Sequence, residues 1–123
     1  MTKVELLKRI YTVPGAALEY LHPDFTLYSP GNSPIAGTFH GKDEMLEHFA
    51  DMERLSGGTF KHDVQEAFLA DDKWGMVVNI LEGERNGITL DMWGFGLWRF
   101  EDGLLRDHWE SPADTAKWDE FWS

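Results

Sequence analysis

Apolar residues recur at helical spacing early in the chain and at alternate positions later. Thr2-x-x-Glu5 reads as a capping box, and Val4, Leu7, Ile10 and Tyr11 then fall on one helical face. Pro14-Gly15 stops that helix. Ala16 to Leu21 fits a second short helix, closed by Pro23. Phe25 to Ser29 reads as a strand, Pro30 to Pro34 as a loop, and Ala36 to Phe39 as a further short strand. From Lys42 to Leu55, Met45, Phe49 and Met52 mark one helical face. Asp43 and Glu44 suit its start, and Ser56-Gly57-Gly58 ends it.

Four β-like runs follow: Thr59 to Ala70, Lys73 to Arg85, Ile88 to Phe100, and Leu104 to Glu110. Asn86-Gly87 is a strong two-residue hairpin signal, Glu101-Asp102-Gly103 suits a three-residue loop, and Asp71-Asp72 is a third turn. Such short connections require antiparallel neighbours, hence a meander. Ser111, Pro112 and Asp114 then suit the cap and first turn of a terminal helix carrying Trp118 and Trp122 on one face. Helices followed by a long meander make an α+β domain.

These turns set a register, and the register decides which residues share a face. It places Asn79 opposite Gly94 and Val77 opposite Gly96. It sets Gly96 opposite His108, Gly94 opposite Glu110, and Glu66 opposite Val77. Leu81, Met92 and Trp98 share that face. The other face carries Met76, Val78, Ile80, Trp93, Phe95, Leu97 and Trp109. The helices can cover only one face. An apolar surface of this size is expected to be covered by a second copy, giving a two-fold homodimer through Val78, Ile80, Trp93, Phe95 and Trp109.

Charge narrows the partners. The 123 residues include 22 acidic and 11 basic side chains, a formal net charge of −11. That disfavours nucleic acid and anionic membrane surfaces. Cysteine is absent, which excludes disulfides and thiolate metal sites. No apolar run reaches the ~20 residues of a membrane-spanning helix. The expectation is one cytoplasmic domain over residues 1–123.

The face bearing Gly94 and Gly96 points to chemistry. Glycines in a central strand mark a place of close approach, and here Asn79, Glu66, His108 and Glu110 flank them. Aromatic walls with a few convergent polar groups are the usual composition of a small-molecule pocket. His108 and Glu110 are the candidate catalytic residues, because imidazole and carboxylate exchange protons near neutrality. Asn79 is a candidate anchor for a polar atom or oxyanion. Trp98 and Met92 are candidate walls, Glu66 a further polar group, and Tyr28 a residue at the mouth. Asp107 falls on the opposite face. His62, His108 and the glutamates include metal-ligand types, but no tight spacing joins them, so neither metal nor other cofactor is expected.

The run from Phe25 to Gly41, with its Pro30-Gly31 loop and Gly37-x-x-x-Gly41, resembles SnoaL-like proteins. So do Leu90-Asp91, Trp98-Arg99-Phe100, Asp102-Gly103 and Asp107-His108-Trp109. The resemblance implies a cone-shaped α+β fold shared with nuclear transport factor 2, ketosteroid isomerase and polyketide cyclases. It implies a pocket between curved sheet and helices, and commonly a dimer through the outer sheet face. The carboxylates of ketosteroid isomerase have no counterpart here: Ser29 and Gly96 stand where they are expected. The leading expectation is a cofactor-independent acid–base enzyme, of isomerase, cyclase, dehydratase or epoxide-hydrolase type, acting on a small and largely apolar molecule. A non-catalytic ligand-binding or protein-interaction domain of the same fold is the alternative.

Overall fold

The computed structural model describes all 123 residues. Helix α1 (Lys3–Thr12) begins at the expected capping box. The Glu5 N–H donates to Thr2 Oγ1, and the Thr2 N–H to Glu5 Oε2, both at 3.1 Å. A 3-10 turn (Ala16–Tyr20) leads directly into β1 (Leu21–Ser29), so the second helix is a single tight turn and Pro23 lies inside a strand. Strand β2 (Gly37–His40) and helix α2 (Gly41–Leu55) follow. Then come β3 (Lys61–Ala70), β4 (Trp74–Arg85), β5 (Ile88–Glu101), β6 (Leu104–Pro112) and α3 (Thr115–Trp122).

The sheet has six strands in the order β2-β1-β6-β5-β4-β3. It is mixed, because β1 runs parallel to β6. The strands of the meander β3 to β6 pair antiparallel as expected, but the β3–β4 turn takes in Lys73, so Ala70 pairs with Gly75 and Phe68, not Glu66, lies opposite Val77. The β1–β6 pairing joins distant parts of the chain, and no local turn signal announces it. Helix α3 starts later than the sequence suggests. Strand β6 continues to pair through Ser111 and Pro112, and Asp114, not Ser111, is the cap, accepting from the Lys117 N–H at 3.1 Å.

The register of β4 on β5 is the expected one, with Val77 opposite Gly96 and Asn79 opposite Gly94. That of β5 on β6 is not. The turn holds two residues, Asp102 and Gly103, both with positive φ, so Glu101 pairs with Leu104. A bulge then intervenes after Phe100↔Leu105, and Arg99 faces Asp107. Each departure shifts the pairing by one residue. Together they set Gly96 opposite Glu110 and Trp98 opposite His108. Because side chains alternate with period two, the double shift leaves His108 and Glu110 on the expected face.

Burial alternates along β4 and β5, as expected of a sheet with one covered face. The covered face carries two apolar clusters. One joins Leu7, Phe25, Leu27, Val77, Phe100 and Leu105, and the other joins Met52, Leu81, Leu90, Trp118, Phe121 and Trp122. Fully burying each of the three α3 aromatics contributes roughly 1.5–3 kcal/mol or more, which anchors that helix despite its two turns. No helix is long and apolar enough to cross a membrane.

Candidate functional site

A cavity of about 370 Å³ opens between the two clusters. Ile10, Tyr11 and Trp98 wall it on one side, and Met52, Leu81 and Trp118 on the other. Gly94 and Gly96 form part of its wall. Gly96 is required there, since a Cβ would overlap the Tyr11 hydroxyl and lie 3.3 Å from His108 Cε1. At Gly94 a Cβ would come 2.8 Å from Asn79 Oδ1. The missing side chains therefore make room for the two polar groups beside them.

Three polar groups meet over these glycines. Glu110, on β6 opposite Gly96, lines the cavity and accepts a hydrogen bond from His48 Nε2–H at 2.9 Å. Burial opposes its charge. The hydrogen bond and charge of His48 outweigh burial, and hold its pKa below the usual carboxylate range. Its Oε1 and the Ser29 hydroxyl are both buried without a hydrogen-bond partner.

Tyr11 reaches in from α1. Its hydroxyl accepts from Trp98 Nε1–H at 3.0 Å, which leaves its own O–H free to donate. Burial pushes its pKa well above the normal phenol value, so it keeps that proton. His108 stacks on Trp98 with ring centroids 3.7 Å apart and donates from Nδ1–H to the Leu97 carbonyl at 3.0 Å. Burial, opposed in part by Glu110, lowers its pKa to about 4. At neutral pH it is therefore uncharged and presents Nε2 as an acceptor. His62, exposed at the open side of the cavity, packs edge-on against Tyr11 and beside Phe60, and desolvation by these neighbours lowers its pKa.

Among the residues singled out from the sequence, His108, Glu110, Asn79 and Trp98 come together on the cavity wall. Three others lie elsewhere. Met92 shares the face but packs with the second apolar cluster. Tyr28 points to the opposite face of the sheet and stacks on Trp109, centroids 5.1 Å apart. Glu66 is exposed, because a bulge between Gln65 and Ala67 moves it out of the row and sets Gln65 opposite Asn79. Asp107 is on the outer face as expected, bound to Arg99 Nη2 at 2.5 Å.

Two residues of the site escaped the sequence reading. His48 falls three residues after Met45 and four before Met52, on the buried side of α2. Phe49, read as part of that face, is instead 42% exposed. A histidine on an apolar stripe was the available signal. The spacing places Tyr11 only as a position on an apolar helical face, and its hydroxyl finds a partner, Trp98, through tertiary packing alone. One group of metal-ligand atoms lies within 4.8 Å of one another, at His22, Glu101 and Asp102. It lies outside the cavity, where His22 Nε2 is 3.1 Å from Glu101 Oε2.

Comparison with known proteins agrees with this architecture. An uncharacterized protein of Mycobacterium bovis is 27% identical over 101 residues, covering 82% of this chain and 77% of its own length. A Xanthomonas campestris protein of unknown function with a cystatin-like fold superposes with a TM-score of 0.90 at 26% identity, covering 100% of this chain and 99% of that one. Bal32a, from a soil-derived mobile gene cassette, gives 0.87 at 28% identity over 97% of this chain and 95% of that one. The SnoaL-like domain family matches residues 13–108. The chain belongs to that family, and its α+β sheet and helices form the fold of nuclear transport factor 2-like proteins.

Proposed function

We propose that the protein is a cofactor-independent acid–base enzyme acting on a small, largely apolar molecule held in the cavity. One observation carries this reading: an ionised Glu110, held by His48, stands on an apolar wall beside the free hydroxyl proton of Tyr11. In that arrangement Glu110 takes a proton from a carbon next to a carbonyl. The electron pair moves to the carbonyl oxygen. Tyr11, or the Asn79 amide, donates to the developing oxyanion, and the protonated Glu110 returns the proton to carbon. His108 is uncharged at neutral pH and serves as an acceptor for a substrate hydroxyl. His48 is a positioning residue that fixes the carboxylate. We also propose that the outer face, where Trp93 is 44% exposed, is the surface on which two copies meet.

The test is hydrogen–deuterium exchange at the α-carbon of a small bicyclic ketone, 2-tetralone, followed by NMR in D₂O. The protein is expected to accelerate exchange, and Glu110→Gln to lower that acceleration by about a hundredfold or more. Exchange that is unaffected by the protein, or by Glu110→Gln, overturns the catalytic reading and leaves a binding domain.

A further inference from the structure

The cavity contains no side chain able to balance a negative charge. None of its 19 lining residues is a lysine or an arginine. Its histidines are His108, buried and held toward the neutral form, and His62, exposed at the surface but still desolvated enough by its neighbours to favour the neutral form. The remaining polar groups include two carboxylates, Glu110 in the wall and Glu53 at the rim, together with the neutral Tyr11 and Asn79. A carboxylate has capacity for about four hydrogen bonds, and the hydrogen bond Glu110 accepts comes from His48, behind the wall. His108 has spent its Nδ1–H on the Leu97 carbonyl, so it too offers only a lone pair.

We propose that the cavity selects uncharged or cationic molecules that bring a hydrogen-bond donor, a hydroxyl or an ammonium, to Glu110, and that it rejects carboxylates and phosphates. This rests on the assignment of the cavity as the substrate site. The aromatic walls favour the same class. Tyr11, Phe49, Phe60, Trp98 and Trp118 accept flat apolar bodies and, by their π-faces, cations. Tyr11 and Asn79 can each hold a neutral carbonyl oxygen. Two neutral donors do not offset a full negative charge placed beside Glu110 at low dielectric. The net charge of −11 adds to the rejection during approach.

Three probes of one shape test the proposal: 2-naphthalenemethanol, 2-naphthylmethylamine and 2-naphthoate, titrated at neutral pH and followed by tryptophan fluorescence and calorimetry. The alcohol or the amine is expected to bind at least about tenfold more tightly than naphthoate. Glu110→Gln, which keeps size and removes charge, is expected to shrink that ratio several-fold. Phe49→Lys guards against a folding defect at the buried position, because Phe49 is 42% exposed and lines the cavity. It is expected to strengthen naphthoate binding several-fold. Naphthoate binding as tight as the other two, no saturable binding of any probe, or a ratio untouched by Glu110→Gln overturns the proposal. The two readings fail separately. Loss of charge selection with intact deuterium exchange leaves the catalytic assignment standing. Charge selection without exchange leaves a selective binding site.

Discussion

His108 shows how much one side chain's surroundings set its chemistry. Stacked on Trp98 and bonded through Nδ1 to a backbone carbonyl, it is only 7% exposed. Its pKa falls from the ordinary histidine value of 6.5 to about 4. The unfolded chain therefore binds more protons than the folded one between those values, and stability declines as pH drops through that window. A shift of this size corresponds to a loss on the order of 3 kcal/mol by the acid end. Urea unfolding at pH 7, 5.5 and 4.5 is expected to show this decline, and His108→Gln to flatten it. An unchanged slope in that variant would remove His108 as the cause. The site's residue types were partly legible in advance. Asn79 could be placed because β4 and β5 are joined by an unambiguous Asn86-Gly87 turn, whereas His108 and Glu110 kept their face because the two one-residue shifts on the β5–β6 hairpin add up to a full period. Glu66 could not, because its place depends on a bulge, and bulges leave no strong mark on periodicity.

At the scale of elements, Arg85 ties the ends of two helices to the sheet. Its Nε–H donates to the Leu55 carbonyl at 3.0 Å, at the C-terminus of α2. Its Nη1–H donates to the Phe121 carbonyl at 3.1 Å and to that of Ser123, at the end of α3. These carbonyls lack partners within their helices, and a cation there also suits the helix dipole. Arg85→Met keeps much of the stem and removes the donors. It is expected to cost about 1.5–3 kcal/mol in denaturant unfolding, with the far-UV spectrum of the folded state preserved. A cost within about 0.5 kcal/mol, typical of surface changes, would show that the carbonyls are equally well served by water. Helices α1 and α2 and the strands of the meander were readable from periodicity and turns. The end of β6 was not. Ser111-Pro112 looks like a helix start, and only its pairing with β5 reveals it as strand.

The molecule as a whole has one face of the sheet closed by helices and one left without them. On the open face Trp74, Trp93, Val64 and Leu69 are each more than a third exposed, and Tyr28, Trp109 and Trp74 form an aromatic strip beside them. Two copies meeting on this face would cover it. Light scattering at micromolar concentration is expected to give about twice the chain's 14.2 kDa. Raised salt is expected to tighten the assembly by screening the repulsion between two chains of charge −11. Trp93→Glu is expected to give a folded monomer. A monomer in the unaltered protein would contradict the pairing. The order of residues, not composition, foreshadows the apolar face, because it depends on alternation along strands.

The turn and bulge on the β5–β6 hairpin have a consequence for how chains of this architecture can change in length. A single residue gained or lost in the turn alone would rotate every later side chain of β6 by half a period. His108 and Glu110 would then face the solvent, and Asp107 with Trp109 would face the cavity. A compensating change in the bulge restores the orientation while sliding the strand along its neighbour by two residues. Insertions and deletions in this hairpin are therefore tolerated in pairs, and a pair moves the site's polar groups from one end of the cavity toward the other without turning them out of it.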